Sequence, residues 1–175
     1  GEIEPAGATG HTVSPDGLVY TVTLRSDATW SDGVPVTAQH YADGVLRLLD
    51  PDTGAGHAYV MYCVEGAQAF NQGTITDPSQ VGVSVVDAQT LRFELSEPGA
   101  HFPSILATTA AYPVRTDLID SDPHWTEPGH FVGNGAYALE AWRSGGWLRL
   151  AKNNTYHGVS AVSIDDILLP IVPEG

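Results

Sequence analysis

Seven histidines carry the widest chemical reach in this sequence, because imidazole binds metals, moves protons and both donates and accepts hydrogen bonds near neutral pH. The densest grouping is His124, Glu127 and His130, with ligand types three and six residues apart. Such a set would serve a divalent metal, or a metal-activated water in hydrolysis. The spacing is not HExxH or another established ligand pattern, and Pro123 and Pro128 lie just before and within the stretch, so histidines on a surface loop are the favoured reading.

Serine, histidine and aspartate are all present, but no serine lies in a GxSxG elbow, and residue types alone carry no hydrolase. Cys63, flanked by Tyr62 and Val64 in an apolar run, reads as a core thiol rather than a nucleophile. Gly133-Asn134-Gly135 is too short to cradle a phosphate and is expected to form a turn with positive φ angles. Asn153-Asn154-Thr155 matches a glycosylation sequon, a pattern that arises often by chance. Tyr59, Tyr62 and Phe70 recur at helical spacing; core packing is the expectation for the set, with one ring left over to face a ligand.

The whole composition narrows these options. Twenty-one acidic against seven basic residues give a net charge of −14, which opposes phosphate backbones and anionic lipid and excludes nucleic acid and the membrane surface as direct partners. No apolar run approaches the roughly 20 residues of a membrane span, and 42% apolar content fits a soluble globular chain. At 175 residues, roughly 70% of the unfolded surface could be buried in a core. A single cysteine permits no internal disulfide and no paired-thiol site. The first residues lack the basic start, apolar stretch and cleavage site of a signal peptide.

The elements that must position any site follow from periodicity and turn chemistry. Residues 19–25 alternate like a strand after Ser14-Pro15-Asp16-Gly17. After a second turn at Ser31-Asp32-Gly33, Thr37 caps a helix with a stripe of Tyr41, Val45, Leu48 and Leu49, ended by Asp50-Pro51. A second helix is expected over residues 58–70, stopped by Asn71-Gln72-Gly73. Residues 81–86 and 90–95 read as a hairpin, as do 137–142 and 147–153. Residues 101–111 form a short helix with proline near its start, and 165–172 a last strand marked as an edge by Pro170. The unpatterned order of helices and strands gives an α+β fold. The turn-rich segment 115–135 is the expected boundary between substructures.

Several stretches, read in order, are more specific. "SPDGLVYTVTLRSDATWSDGVPVTAQHY", "LLDPDTG", "AYVMYCVEGAQAFNQG", "VGNGAYALEAW" and "AKNNTYHG" together resemble the family 5 extracellular solute-binding proteins, the oligopeptide, dipeptide and nickel receptors of ABC importers. The likeness runs from about Thr12 to Val172.

The resemblance implies a periplasmic-binding-protein type II-like fragment: residues 1–114 as the additional small domain of such receptors, and 115–175 as a partial segment of lobe I. It implies no enzyme and no cofactor, a location in the periplasm or outside the cell with a possible lipid anchor, and an ABC permease as partner of the intact receptor. A peptide-like solute would be held in a cleft between lobes. Trp30 would anchor the turn that leads into the first long helix of the small domain. The family often presents a tyrosine toward the cleft after "LLDPDTG"; here His57 stands in that place, so His57 and Tyr59 are the expected ligand-facing residues. A nickel or metal-chelate cargo is the alternative within the family, and a metal-dependent hydrolase or interaction module using the His124 to His130 loop is the alternative outside it. Strands 137–142 and 165–172 are expected to leave an apolar edge with Ile167, Leu169 and Ile171, through which the isolated chain would form a homodimer.

Overall fold

The computed structural model describes residues 4–172. The chain divides into two compact units: one takes the residues up to Arg25 and Thr37–Thr116, the other Ser26–Val36 and the residues from Asp117 onward. The short excursion Ser26–Val36 has no counterpart in a single division near residue 115. It places Trp30 in the second unit.

The first unit is built on a four-stranded antiparallel sheet in the order β1-β2-β4-β3, with β1 Ala8–Val13, β2 Val19–Leu24, β3 Val83–Asp87 and β4 Thr90–Glu94. Alternation along β2 sends Tyr20, Val22 and Leu24 into the core, and the register Tyr20↔Phe93 and Val22↔Leu91 sets the matching residues of β4 beside them. Helix α1 (Ala38–Leu49) contributes Ala38, Ala42, Val45 and Leu49 to the same core. The buried stripe therefore runs through Ala42, while Tyr41 and Leu48 are half-buried at its margin. Phe102, at the start of α3 (Phe102–Leu106), meets the rings of Tyr20 and Phe93 edge-on, each at 5.1 Å between centroids. Such contacts add to the burial of the rings themselves.

Strand β1 carries no strand signal in its sequence. All but its first residue are exposed, so it shows no apolar alternation, and pairing with β2 defines it. The expected helix over residues 58–70 is not continuous. A 3₁₀ turn at Ala58–Met61 gives way to α2, only Ala67–Asn71. Between them Val64 bridges Leu95, and Glu65 donates its N–H to the Glu94 carbonyl at 2.9 Å. Gly66 then turns the chain at φ +70°, where a Cβ would stand 2.3 Å from the Gln80 carbonyl oxygen. Sheet pairing thus overrides helix propensity in this segment.

The second unit carries a three-stranded antiparallel meander, β5 Tyr137–Arg143, β6 Trp147–Lys152 and β7 Asp166–Pro170. Gly145, at φ +70°, forms the tight β5–β6 turn. Helix α4 (Thr116–Ser121) lies in the turn-rich segment 115–135, whose letters mark a boundary but no helix. Both β5 and β7 are edges of this sheet. On and after β7, Leu168, Leu169 and Ile171 are exposed, whereas Ile167 is half-buried.

Candidate ligand-binding site

Two residues singled out from the sequence, His57 and Tyr59, sit together on the first unit. The chain leaves α1 at Asp50, whose carboxylate accepts the Asp52 N–H at 2.9 Å, and turns at Gly54 (φ +62°). His57 then caps the 3₁₀ turn, its carbonyl accepting the Val60 N–H at 3.1 Å. Ala58 and Met61 are buried in the core with α1, at 3% and 0% exposure. Those anchors orient what lies between and before them. His57 is exposed and Tyr59 is 62% exposed, their rings edge-to-face with centroids 6.3 Å apart. The pair offers a phenol hydroxyl, two imidazole nitrogens and two ring surfaces, groups able to hydrogen-bond and to stack.

The other two aromatic rings of that set stay in the structure of the unit. Phe70 is buried, and the Tyr62 hydroxyl donates to Asn71 Oδ1 at 2.6 Å while Asn71 Nδ2 donates to the Leu49 carbonyl at 2.8 Å. Half-buried Cys63 has its thiol pushed up by burial, away from the reactive thiolate. An open depression of about 490 Å³ lies against β1, lined by His11, Val13, Tyr20, Pro98 and Pro103 among others. Its lining includes neither His57 nor Tyr59.

On the second unit, His124 and His130 do approach one another, with ring centroids 5.9 Å apart. Each Nδ1 is taken by a carboxylate: His124 by Glu127 at 2.8 Å and His130 by Asp122 at 2.7 Å. The His124 N–H also donates to Asp122 at 2.8 Å. The hydrogen bond that the His124 ring makes to the Glu127 carboxylate, then that carboxylate's charge, raises the His124 pKa, and the His124 backbone N–H and His130 ring hold Asp122 below its ordinary value. The carboxylates serve as partners of the rings rather than as a converging ligand set, and no group of three or more His, Cys, Asp or Glu among the described residues is arranged to hold a metal ion.

The short motifs of the sequence acquire a different role. Trp30, 3% exposed, opens a tight turn in which its N–H donates to the Val34 carbonyl and its carbonyl accepts the Gly33 N–H. Ser31 donates its N–H to the Gly133 carbonyl at 2.8 Å, and its hydroxyl accepts the Gly133 N–H at 3.2 Å. Thr29 Oγ1 donates to the Thr155 carbonyl at 3.1 Å. Asn153, 5% exposed, donates from Nδ2 to the Gly135 carbonyl at 2.8 Å and accepts at Oδ1 from the Thr155 hydroxyl at 2.7 Å. The WSDG turn, the GNG segment and the NNT segment therefore lock into one corner of the second unit. Neither Gly133 nor Gly135 has a positive φ, contrary to expectation. A Cβ at position 133 would stand 2.9 Å from the exposed Phe131 ring, which would have to shift to admit it.

Comparison with known proteins supplies a wider frame. The chain matches the bacterial extracellular solute-binding proteins, family 5 Middle, over residues 2–175. It is 34% identical over 174 residues to the dipeptide-binding protein DppE of Bacillus subtilis, covering 99% of this chain and 32% of that one. It is 42% identical over 142 residues to the periplasmic murein peptide-binding protein MppA of Escherichia coli, covering 80% of this chain and 26% of that one. The solved structure of the Escherichia coli murein tripeptide binding protein superposes with a TM-score of 0.92 at 37% identity, over 98% of this chain and 34% of that one. The chain spans about a quarter to a third of the length of the curated relatives it matches.

Proposed function

Because this chain belongs to the bacterial extracellular solute-binding proteins of family 5, we propose that it is part of a receptor that captures peptides outside the cytoplasm and passes them to an ABC importer. One observation carries this reading: likeness along nearly the whole chain to relatives named for dipeptides, oligopeptides and murein peptides. In this reading the first unit is the additional small domain of the receptor and the second is a portion of lobe I. The protein binds and releases without catalysis, and the receptor sits in the periplasm or on the cell exterior.

The ligand-facing contribution of this chain is the exposed pair His57 and Tyr59. An extended peptide is held by hydrogen bonds to its backbone and by pockets for its side chains, and an edge-to-face pair of rings on a pinned turn provides a stacking surface at small entropic cost. The lobes that complete the cleft lie in the remaining two thirds of the receptor. The isolated 175-residue chain consequently has no measurable peptide affinity. It self-associates through the β7 edge, where Leu168 is 62% exposed. Sedimentation of the chain and its Leu168→Glu variant separates this pairing from a monomer.

Calorimetry of the receptor containing this chain, with tri- to pentapeptides and with Ni(II) in parallel, tests the cargo. Binding across varied peptides is the expected outcome. Silence across a broad peptide library combined with tight Ni(II) uptake would replace the peptide reading with the metal one.

A further inference from the structure

We propose that Asn134 is a site of spontaneous deamidation and isoaspartate formation, created by the open Asn134–Gly135 step between two clamped glycines. The reaction needs the backbone nitrogen of the following residue to reach Cγ of the asparagine, and a glycine there hinders the approach least. Asn134–Gly135 is the one Asn-Gly pair among the four asparagines of the sequence. Asn134 is half-buried and Gly135 exposed, and neither the Asn134 side chain nor the Gly135 N–H has a hydrogen-bond partner among the described residues. That side of the step is open, since no atom outside Gly135 and its two chain neighbours lies within 4 Å of where a Gly135 Cβ would be.

The other asparagines are protected by their surroundings. Both polar atoms of Asn71 are engaged, with Tyr62 and Leu49, and a glutamine follows it. Asn153 is buried with Nδ2 donated to Gly135. Asn154 precedes β-branched Thr155, whose N–H is given to Asn153 Oδ1 at 3.0 Å. The related Asp-Gly steps are closed in the same way: the Gly17 N–H donates to Ser14 and the Gly33 N–H to Trp30, each at 2.9 Å, and Gly44 lies inside α1.

The chemistry balances with water alone. Solvent base takes the Gly135 amide proton as its nitrogen bonds to Asn134 Cγ; the Cγ–Nδ2 bond breaks, and ammonia leaves carrying a proton from solvent. One water then opens the resulting succinimide at either carbonyl, giving aspartate or isoaspartate. The second product inserts a methylene into the main chain between Gly133, held twice by Ser31, and Gly135, held by Asn153. One of those clamps must yield, so modification loosens the corner that holds Trp30.

Ageing the 175-residue chain at mildly alkaline pH and 37 °C tests this, with peptide mapping by mass spectrometry and methyl labelling by an isoaspartyl methyltransferase. The expected result is a gain of about 1 Da at Asn134, faster than at Asn71, Asn153 or Asn154, together with a lower melting temperature. Gly135→Ala, whose Cβ meets open space, should slow the gain at least about tenfold, and Asn134→Gln should prevent the accompanying loss of melting temperature. A gain no faster than at Asn154, or unchanged in Gly135→Ala, would overturn the proposal. So would a folded chain that stays unmodified while the urea-unfolded chain reacts.

Discussion

Asn153 and Gly135, 18 residues apart in sequence, are joined by a 2.8 Å hydrogen bond from a side chain that is 5% exposed. This bond explains why an apparent glycosylation sequon is a structural lock. Its Nδ2 is already given to a carbonyl, and Oδ1 is shared by the N–H and hydroxyl of Thr155. Asn153→Ala leaves buried polar groups without partners and should destabilise the second unit by about 2–3 kcal/mol. Asn153→Asp, which turns the Nδ2 donor into an acceptor facing a carbonyl, should act in the same direction. All four tryptophans, Trp30, Trp125, Trp142 and Trp147, lie in the second unit. Urea unfolding followed by tryptophan fluorescence therefore reads this unit specifically, and an unshifted midpoint in Asn153→Ala would refute the lock.

Gly66 and Gly73 share a φ of +70° but not their surroundings. A Cβ at Gly66 meets the Gln80 carbonyl at 2.3 Å, whereas one at Gly73 meets open space. Gly73→Ala should cost about 1–2 kcal/mol for the left-handed conformation alone, and Gly66→Ala should cost more, because the backbone of residue 80 must also move. Thermal unfolding followed by far-UV circular dichroism compares them. Equal losses would show that the chain break between the 3₁₀ turn and α2 is not held by that close approach.

The His124 clasp has a defined pH window. Its folded pKa is raised by Glu127, so its stabilising contribution is complete below the ordinary 6.5 and is lost as pH rises through the raised folded value. Asp122 is lowered, first by the His124 N–H, so its contribution is present above the ordinary 3.8 and is lost as pH falls through the depressed value. The loop is therefore held best between those two ordinary values. Titration of the His124 ring by nuclear magnetic resonance should give a midpoint above that of a model imidazole, and Glu127→Gln should bring it back. His124 is exposed and Asp122 only half-buried, so solvent screens both groups and the effect on global stability is small.

Parts of this structure are legible from residue pattern alone, for identifiable reasons. Strands β2, β4, β5 and β6 alternate or end in turn letters, and Thr37 and Asp50-Pro51 bracket α1, so local chemistry suffices. β1 escapes because its exposed Ala8–Val13 sequence carries no apolar period and depends on pairing with β2. The break at Gly66 escapes because the bridge between Val64 and Leu95 is a contact across 31 residues. The same holds for the excursion Ser26–Val36, whose bonds run to Gly133 and Thr155, about a hundred residues or more away. Of the candidate site, the position of His57 after "LLDPDTG" could be read from family likeness. That Ala58 and Met61 pin the turn and leave His57 and Tyr59 outward required the fold.

Hydrogen–deuterium exchange of the receptor containing this chain, with and without a saturating peptide, addresses the central claim most directly. Exchange reports local opening of backbone groups, so peptide held against the aromatic turn should slow it at residues 56–60, and His57→Ala should weaken binding by about 5- to 10-fold. Peptide bound at full occupancy with no change at residues 56–60, and unaltered affinity in both His57→Ala and Tyr59→Ala, would contradict the account.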